Sequence, residues 1–214
     1  MFYSLRWFFS LLSTILRLGA GRPGREQTAA TGMPILYEFA ACPWCLIARE
    51  AVSEAGPSVL VRPCPKNGTR FRPKVKEMGG KAQFPFYIDE HVPDGMYESA
   101  DVAKTMREHY GASRPLMHWL GPLNGIFSSY AVLLGFTGGR SVRPSKPQSQ
   151  PLEFHGSEAS PSARLVKARL SSLELEYIWH SSARGEPRLF DPQTGKTTLG
   201  GPESLLYLAD TYAL

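Results

Sequence analysis

From Met1 to Leu18 the chain reads as one apolar helix whose polar residues Arg6, Ser10, Ser13, Thr14 and Arg17 recur at helical spacing along one face. An amphipathic helix is predicted, with its Phe8, Phe9, Leu12 and Leu16 side buried against the protein. A second apolar stretch, Leu116 to Phe136, is interrupted by Pro122, Asn124 and several glycines. Those breakers and His118 argue against a membrane span there, as two arginines and short length do for the first stretch. Between them the periods are shorter. Ile35 to Phe39 reads as a buried strand, and Pro43, which has no N–H to lose, suits the first position of a helix that Gly56-Pro57 ends. Within that helix Ile47, Val52 and Ala55 face a core. Ser58 to Arg62 is a second strand, and Cys64 to Gly80 is a basic loop with a short helix. Phe84 to Ile88 is a third strand, Met96-Tyr97 a short fourth, and Ser99 to Tyr110 a closing helix.

The resulting order, β-α-β-α-β-β-α over residues 34–111, is that of a thioredoxin-like domain. Shifted by about 118 residues, the chain partly matches itself. Phe8-Phe9-Ser10 falls on Ile126-Phe127-Ser128, Gly21-Arg22 on Gly139-Arg140, Pro34-Ile35 on Pro151-Leu152, and Pro43 on Pro161. Each half reads as an apolar helix, a Gly/Arg turn, a polar linker (Pro23 to Gly32, Ser141 to Gln150) and a strand. The expected fold is α/β, with two tandem thioredoxin-like domains, each preceded by an apolar helix, the second copy degenerate. Residues 1–33 form the first helix and linker, 34–111 the redox domain, 112–150 the second helix and linker, and 151–214 the degenerate domain. The register predicts that each apolar helix packs on its own unit. In the second copy the strand Leu152 to His155 and the helix Pro161 to Leu173 persist, but Ser160 stands at the place of Cys42 and Ala163 at that of Cys45. The offset then falls to about 102, with Glu186-Pro187 on Phe84-Pro85, so the second helix is largely missing. Glu203-Ser204 echo Glu98-Ser99.

Composition narrows the chemistry. With 43% hydrophobic and 20% charged residues, wholesale disorder is excluded. Three cysteines cannot make a multi-bridge secreted scaffold, and two of them lie in one Cys-x-x-Cys element, pointing to redox or metal chemistry in a reducing compartment. The net charge of +5 comes without a long basic block, which favours acidic small ligands or anionic surfaces over nucleic acid.

Cys42 is placed at a helix N-terminus, where unpaired N–H groups and the helix dipole lower a thiol pKa. It is the candidate nucleophile, and Cys45, one turn further in, the resolving thiol. A zinc half-site would need two more ligands from Cys64 and five scattered histidines, so no metal is expected. A purely structural cysteine pair is the other alternative. Ser99 reads either as a helix cap or, with Glu98, as part of an anion site at a helix start. Lys66, Arg70 and Arg72 form either a solvated basic face or partners for a ligand carboxylate. Cys64, between two prolines, is a glutathionylation target or a small loop residue.

Cys42-Pro43-Trp44-Cys45 after the first strand, Phe84-Pro85 before the third and Glu98-Ser99 at the last helix occur in an order that resembles the glutaredoxin or N-terminal glutathione S-transferase version of the thioredoxin fold. The resemblance covers residues 34–111, and the whole chain resembles proteins carrying two such domains. It implies a cis Pro85, with the neighbouring backbone at Phe84 pairing with the glutathione cysteine and Glu98-Ser99 holding the γ-glutamyl end. Lys66 and Arg70, with Arg72, would then meet the glycyl carboxylate. Glutathione would be the co-substrate, and protein or small-molecule disulfides the partners. Three functions stay open: thiol–disulfide exchange, glutathione conjugation, and a non-enzymatic interaction or membrane-surface module contacting lipid through residues 1–18. The positive balance before residue 30, with Glu26 its lone acid, also fits a plastid or other organelle transit segment; otherwise the chain is expected in the cytoplasm.

Overall fold

Eight strands form one sheet: β1 (Ile35–Glu38), β2 (Val59–Pro63), β3 (Phe86–Asp89), β4 (Val92–Met96), β5 (Leu152–His155), β6 (Tyr177–His180), β7 (Arg188–Asp191) and β8 (Lys196–Leu199). Their order is β4-β3-β1-β2-β6-β5-β7-β8 in this computed structural model, which describes residues 2–24, 32–112, 116–135, 138–182 and 185–214. β1 runs parallel to β2 and antiparallel to β3, which pairs antiparallel with β4. β5 to β8 repeat those pairings one for one. Antiparallel pairing of β2 with β6, Leu60 opposite Ile178, joins the two sets and closes what would be two open sheet edges.

One sheet face carries a continuous apolar core that takes Leu36 and Val61 from the first set and Phe154 and Tyr177 from the second. Helices α2 (Pro43–Ala55), α4 (Ser99–Tyr110), α7 (Pro161–Ser172) and α8 (Gly200–Tyr212) supply its other side. On the opposite face, α3 (Arg72–Gly79) covers a smaller cluster of Tyr37, Cys45, Cys64, Val75 and Phe86. Among the described residues no helix stands at the matching place between β6 and β7, so Glu153, His155, Ile178 and His180 remain half-buried. The fourth strand is longer than Met96-Tyr97 and begins at Val92. Residues 25–31 of the first linker, Arg25 and Glu26 included, lie outside the described residues.

The apolar stretches form α1 (Phe2–Leu16) and α6 (Leu123–Gly135), the latter after a short turn of helix, α5 (Leu116–Trp119). Two expectations about them are corrected. First, the burial is inverted: Ser10, Ser13, Thr14 and Arg17 are buried, whereas Phe8 is 50% exposed and Phe9, Leu12 and Leu16 only half-buried. The polar face has partners to bond, because Tyr3, Ser10 and Thr14 donate from their hydroxyls to Ser162 and to the carbonyls of Pro161 and Ala159. Second, the helices are exchanged. α1 lies on α7 of the other half, while α6 lies on α2, the Ser128 hydroxyl donating to the Pro43 carbonyl. Ser10 to Pro161 and Ser128 to Pro43 are the same contact, made reciprocally.

Beneath these helices the halves are locked by buried charge. Arg17 pairs with Glu50 at 2.5 Å, and Arg49 bridges Glu38 at 2.5 Å and Glu158 at 3.1 Å. Glu158 also meets Arg164 and Lys167. Three cations around it hold its carboxyl at about 2 despite burial. Charges this deep stabilise only while every partner is present.

Candidate active site

Cys42 is the N-cap of α2, with φ −96° and ψ 120°, and its Sγ accepts the Cys45 backbone N–H at 3.1 Å. Pro43 supplies the first helical residue, as its fixed φ allows. Hydrogen bonding from Cys45, side chain and backbone, holds the Cys42 thiol below its ordinary pKa; burial opposes this and the Arg49 charge reinforces it. Cys45 is fully buried, and desolvation pushes it well above the usual range, with Cys42 and the Glu38 carboxylate adding to the rise. All three cysteines are free thiols. Cys64 is buried beside them with its thiol also pushed up by desolvation, which makes it a packing residue rather than a modification target.

The Phe84-Pro85 peptide is cis, and the Phe84 carbonyl lies 3.9 Å from the Cys42 Sγ. Gln83, Phe84, Pro85, Glu98, Ser99 and Trp44 line a pocket of about 200 Å³. Glu98, not Ser99, is the N-cap of α4, and it holds φ +69°, a left-handed conformation that a glutamate adopts at a cost. Its carboxylate accepts from Gln83 at 2.6 Å. Ser99 is buried at the first helical position. Cys42 itself is only 4% exposed, packed with Phe84 and Phe86.

The basic residues divide differently from the sequence expectation. Arg70 gives its guanidinium to the carbonyls of Leu173, Glu174, Ser145 and Lys146, clamping the two halves together. Lys66 forms a backbone bridge with Ser141, and neither residue lines the pocket. Arg72 does approach it: its guanidinium lies over the Phe84 ring at 4.7 Å, and its buried Nη1 has no hydrogen-bond partner. Beside the pocket a second, largely apolar cleft of about 370 Å³ is bounded by Trp44, Ile47, Ala103, Pro122 and Gly125. Sequence reading missed it, because α6 reaches it only through the exchange.

In the other half Ser160 caps α7 with φ −82° and ψ 121°, its Oγ accepting the Ala163 N–H at 3.3 Å. The geometry matches that of Cys42, with a hydroxyl for a thiol. The echo of Glu98-Ser99 is not Glu203-Ser204, which lie a turn inside α8. At the offset of 102 it is Gly200-Gly201, and Gly200 has φ +80°. Among the described residues Phe84-Pro85 is the only cis peptide, so Glu186-Pro187 lacks that feature. The sheet also gathers histidines the chain scatters: ligand atoms of Glu153, His155 and His180 lie within 4.8 Å of one another. Arg188 sits against them, 3.0 Å from the His155 Nε2.

In comparison with known proteins, residues 36–114 fit the family model described as glutathione S-transferase, N-terminal domain. No curated protein and no solved structure matches the chain. A thioredoxin-like glutathione S-transferase N-terminal domain is therefore present, and the domain relates the chain to glutathione.

Proposed function

We propose that the protein is a glutathione-linked thiol–disulfide oxidoreductase built from two thioredoxin-like units in tandem, at 34–111 and 151–214, of which the first carries the chemistry. The Cys45 N–H on the Cys42 sulfur carries this reading, since a thiolate is the attacking species and this bond favours it. The Cys42 thiolate attacks one sulfur of a disulfide, and the departing thiolate takes a proton from water. Cys45 then gives up its proton and attacks Cys42 in the mixed disulfide, closing a Cys42–Cys45 bond and releasing the second thiol. Two glutathiones reduce that bond and leave as glutathione disulfide. Phe84-Pro85, Glu98 and Ser99 form the glutathione pocket, and Arg72, rather than Lys66 or Arg70, meets the glycyl carboxylate. Such dithiol chemistry suits a reducing compartment.

Reduction of a glutathione mixed disulfide by the purified protein is the test. Cys42→Ser should abolish turnover, while Cys45→Ser retains it only if glutathione alone resolves the mixed disulfide. Full activity in Cys42→Ser would refute the reading. The apolar cleft beside Ser99 favours a second reading, conjugation of glutathione to an apolar electrophile. Turnover of a model electrophile that survives Cys42→Ser would select it.

A further inference from the structure

The half without thiols gathers donors of another kind. By the shifts that relate the halves, Ile35 and Tyr37 on β1 correspond to Glu153 and His155 on β5. Phe86, opposite Tyr37, corresponds to Arg188, opposite His155. Arg62, beside Tyr37 on β2, corresponds to His180, beside His155 on β6. In the first half Ile35, Tyr37 and Phe86 belong to the apolar cluster that α3 covers. Among the described residues no helix covers their counterparts, which accounts for polar residues there. Exposure alone favours no particular polar group and gives no reason for three of them to converge.

The convergence is close. One ligand atom from each of Glu153, His155 and His180 lies within 4.8 Å of the other two, and the imidazoles stack with their centroids 4.5 Å apart. Ser58 engages the His180 Nδ1 at 2.8 Å, which leaves Nε2 as the free nitrogen. Among the described residues the half-buried Glu153 carboxylate has neither a hydrogen bond nor an ion pair. Arg188 is exposed, and among the described residues its only hydrogen bond is the one to the His155 Nε2 at 3.0 Å. A guanidinium held by a single imidazole is readily displaced. Two imidazoles and a carboxylate are the donor set of zinc and its neighbours among the divalent transition metals, whereas calcium and magnesium take oxygen ligands. Bonds of about 2.0–2.2 Å set the ligand atoms of a tetrahedral site roughly 3.3 Å apart, so side-chain rotation on two fixed strands closes the set. Three protein ligands leave the fourth position to water.

We propose that Glu153, His155 and His180 form a zinc-type divalent metal site on the sheet of the second half, with Ser58 orienting His180 and Arg188 the cation that the metal displaces. The site is independent of the thiol chemistry. Calorimetric titration of the untagged full chain with zinc at neutral pH tests it, with cobalt(II) as the spectroscopic probe. One ion per chain is expected at this site, kept in Cys42→Ser with Cys45→Ser, and bound cobalt in that variant should show no thiolate charge-transfer band. His180→Ala and Glu153→Gln should each weaken binding about tenfold or more, and Ser58→Ala about tenfold. Arg188→Ala should tighten it several-fold, a gain that unfolding cannot produce. An unchanged circular dichroism spectrum keeps the losses distinct from misfolding. Absence of zinc binding in the folded chain would overturn the proposal. So would zinc held by the histidine variants but lost in Cys42→Ser with Cys45→Ser, which would assign the ion to the thiols. Weaker binding in Arg188→Ala would also overturn it, since the arginine would then support the ion rather than compete with it.

Discussion

The two halves share a frame and differ in what it holds. Ser53 on α2 bonds the Gly21 carbonyl and the Glu158 N–H, and Ser171 on α7 bonds the Gly139 carbonyl and the Ala40 N–H, each position displaced by 118. Asp89 accepts from Tyr110 as Asp191 accepts from Tyr212, displaced by 102. Those pairs fasten helices to strands and recur in both halves. The thiol pair, the cis proline and a side chain at the left-handed residue occur only in the first. Gly200 adopts φ +80° freely, whereas Glu98 carries a carboxylate at φ +69°, so the strain is borne on the side that has the thiols. Architecture and chemistry are thus separable here, and each can be altered alone.

The sharpest test of that separation transplants the nucleophile. Cys42→Ser should lower disulfide reduction by about 100-fold or more, and adding Ser160→Cys should not restore it, although the introduced thiol should be alkylated faster than free cysteine at neutral pH. Recovery of turnover would mean that the second half keeps a working groove.

Stability should be most sensitive where the halves share charge. Glu158→Gln leaves Arg49, Arg164 and Lys167 around a neutral group and should cost about 3–5 kcal/mol by denaturant unfolding. Glu38→Gln should cost less, because Glu38 meets one cation, Arg49, where Glu158 meets three.

Glu54 distinguishes the halves by pH, since serine occupies the matching position, Ser172. Burial raises the Glu54 carboxyl to about 8 from 4.5, against the opposing Gly21 N–H. The folded state therefore holds a proton that the unfolded chain has released, and its stabilising effect is complete below pH 4.5 and lost as pH rises toward 8. At about 1.4 kcal/mol for each pH unit between those two values, the whole effect amounts to a few kcal/mol. Glu54→Gln should flatten Tm against pH in that window.

The smallest expected effect is a matched one. Tyr110→Phe and Tyr212→Phe each remove one hydrogen bond to a buried aspartate that keeps another, from Tyr87 or Tyr207. Each should cost about 1 kcal/mol. Unequal losses would show that the two frames bear different loads.

Much of this was legible from the residues. The strand and helix order of the first half, Cys42 at a helix start and the shift of 118 all follow from local pattern, and local pattern is what sequence carries best. The same shift, continued at 102 past Pro187, leads to Asp191 and Tyr212, the partners that the echo of Glu203-Ser204 obscured. What was not legible depends on which element lies on which. The polarity of α1 gives its two faces but not which one the protein covers, and serines at 10 and 128 go inward because carbonyls at the start of a helix in the other half await them. Arg70 and Arg72 are two residues apart in one basic loop, and only the fold sends one to the seam and the other to Phe84.

The exchange of α1 and α6 also sets an order of assembly. α1 leaves the ribosome well ahead of the surface it covers, α7, which is made about 150 residues later, so its contacts are among the most distant in the chain. Until then Ser10 and Ser13 lack the Pro161 carbonyl and the Arg164 guanidinium that they bond, and the apolar side of α1 is open to any hydrophobic surface nearby. The first half therefore cannot finish folding ahead of the second. A nascent chain halted near residue 150 holds the cysteine pair complete and α1 without the α7 surface it covers, a state exposed to aggregation and to capture by a chaperone.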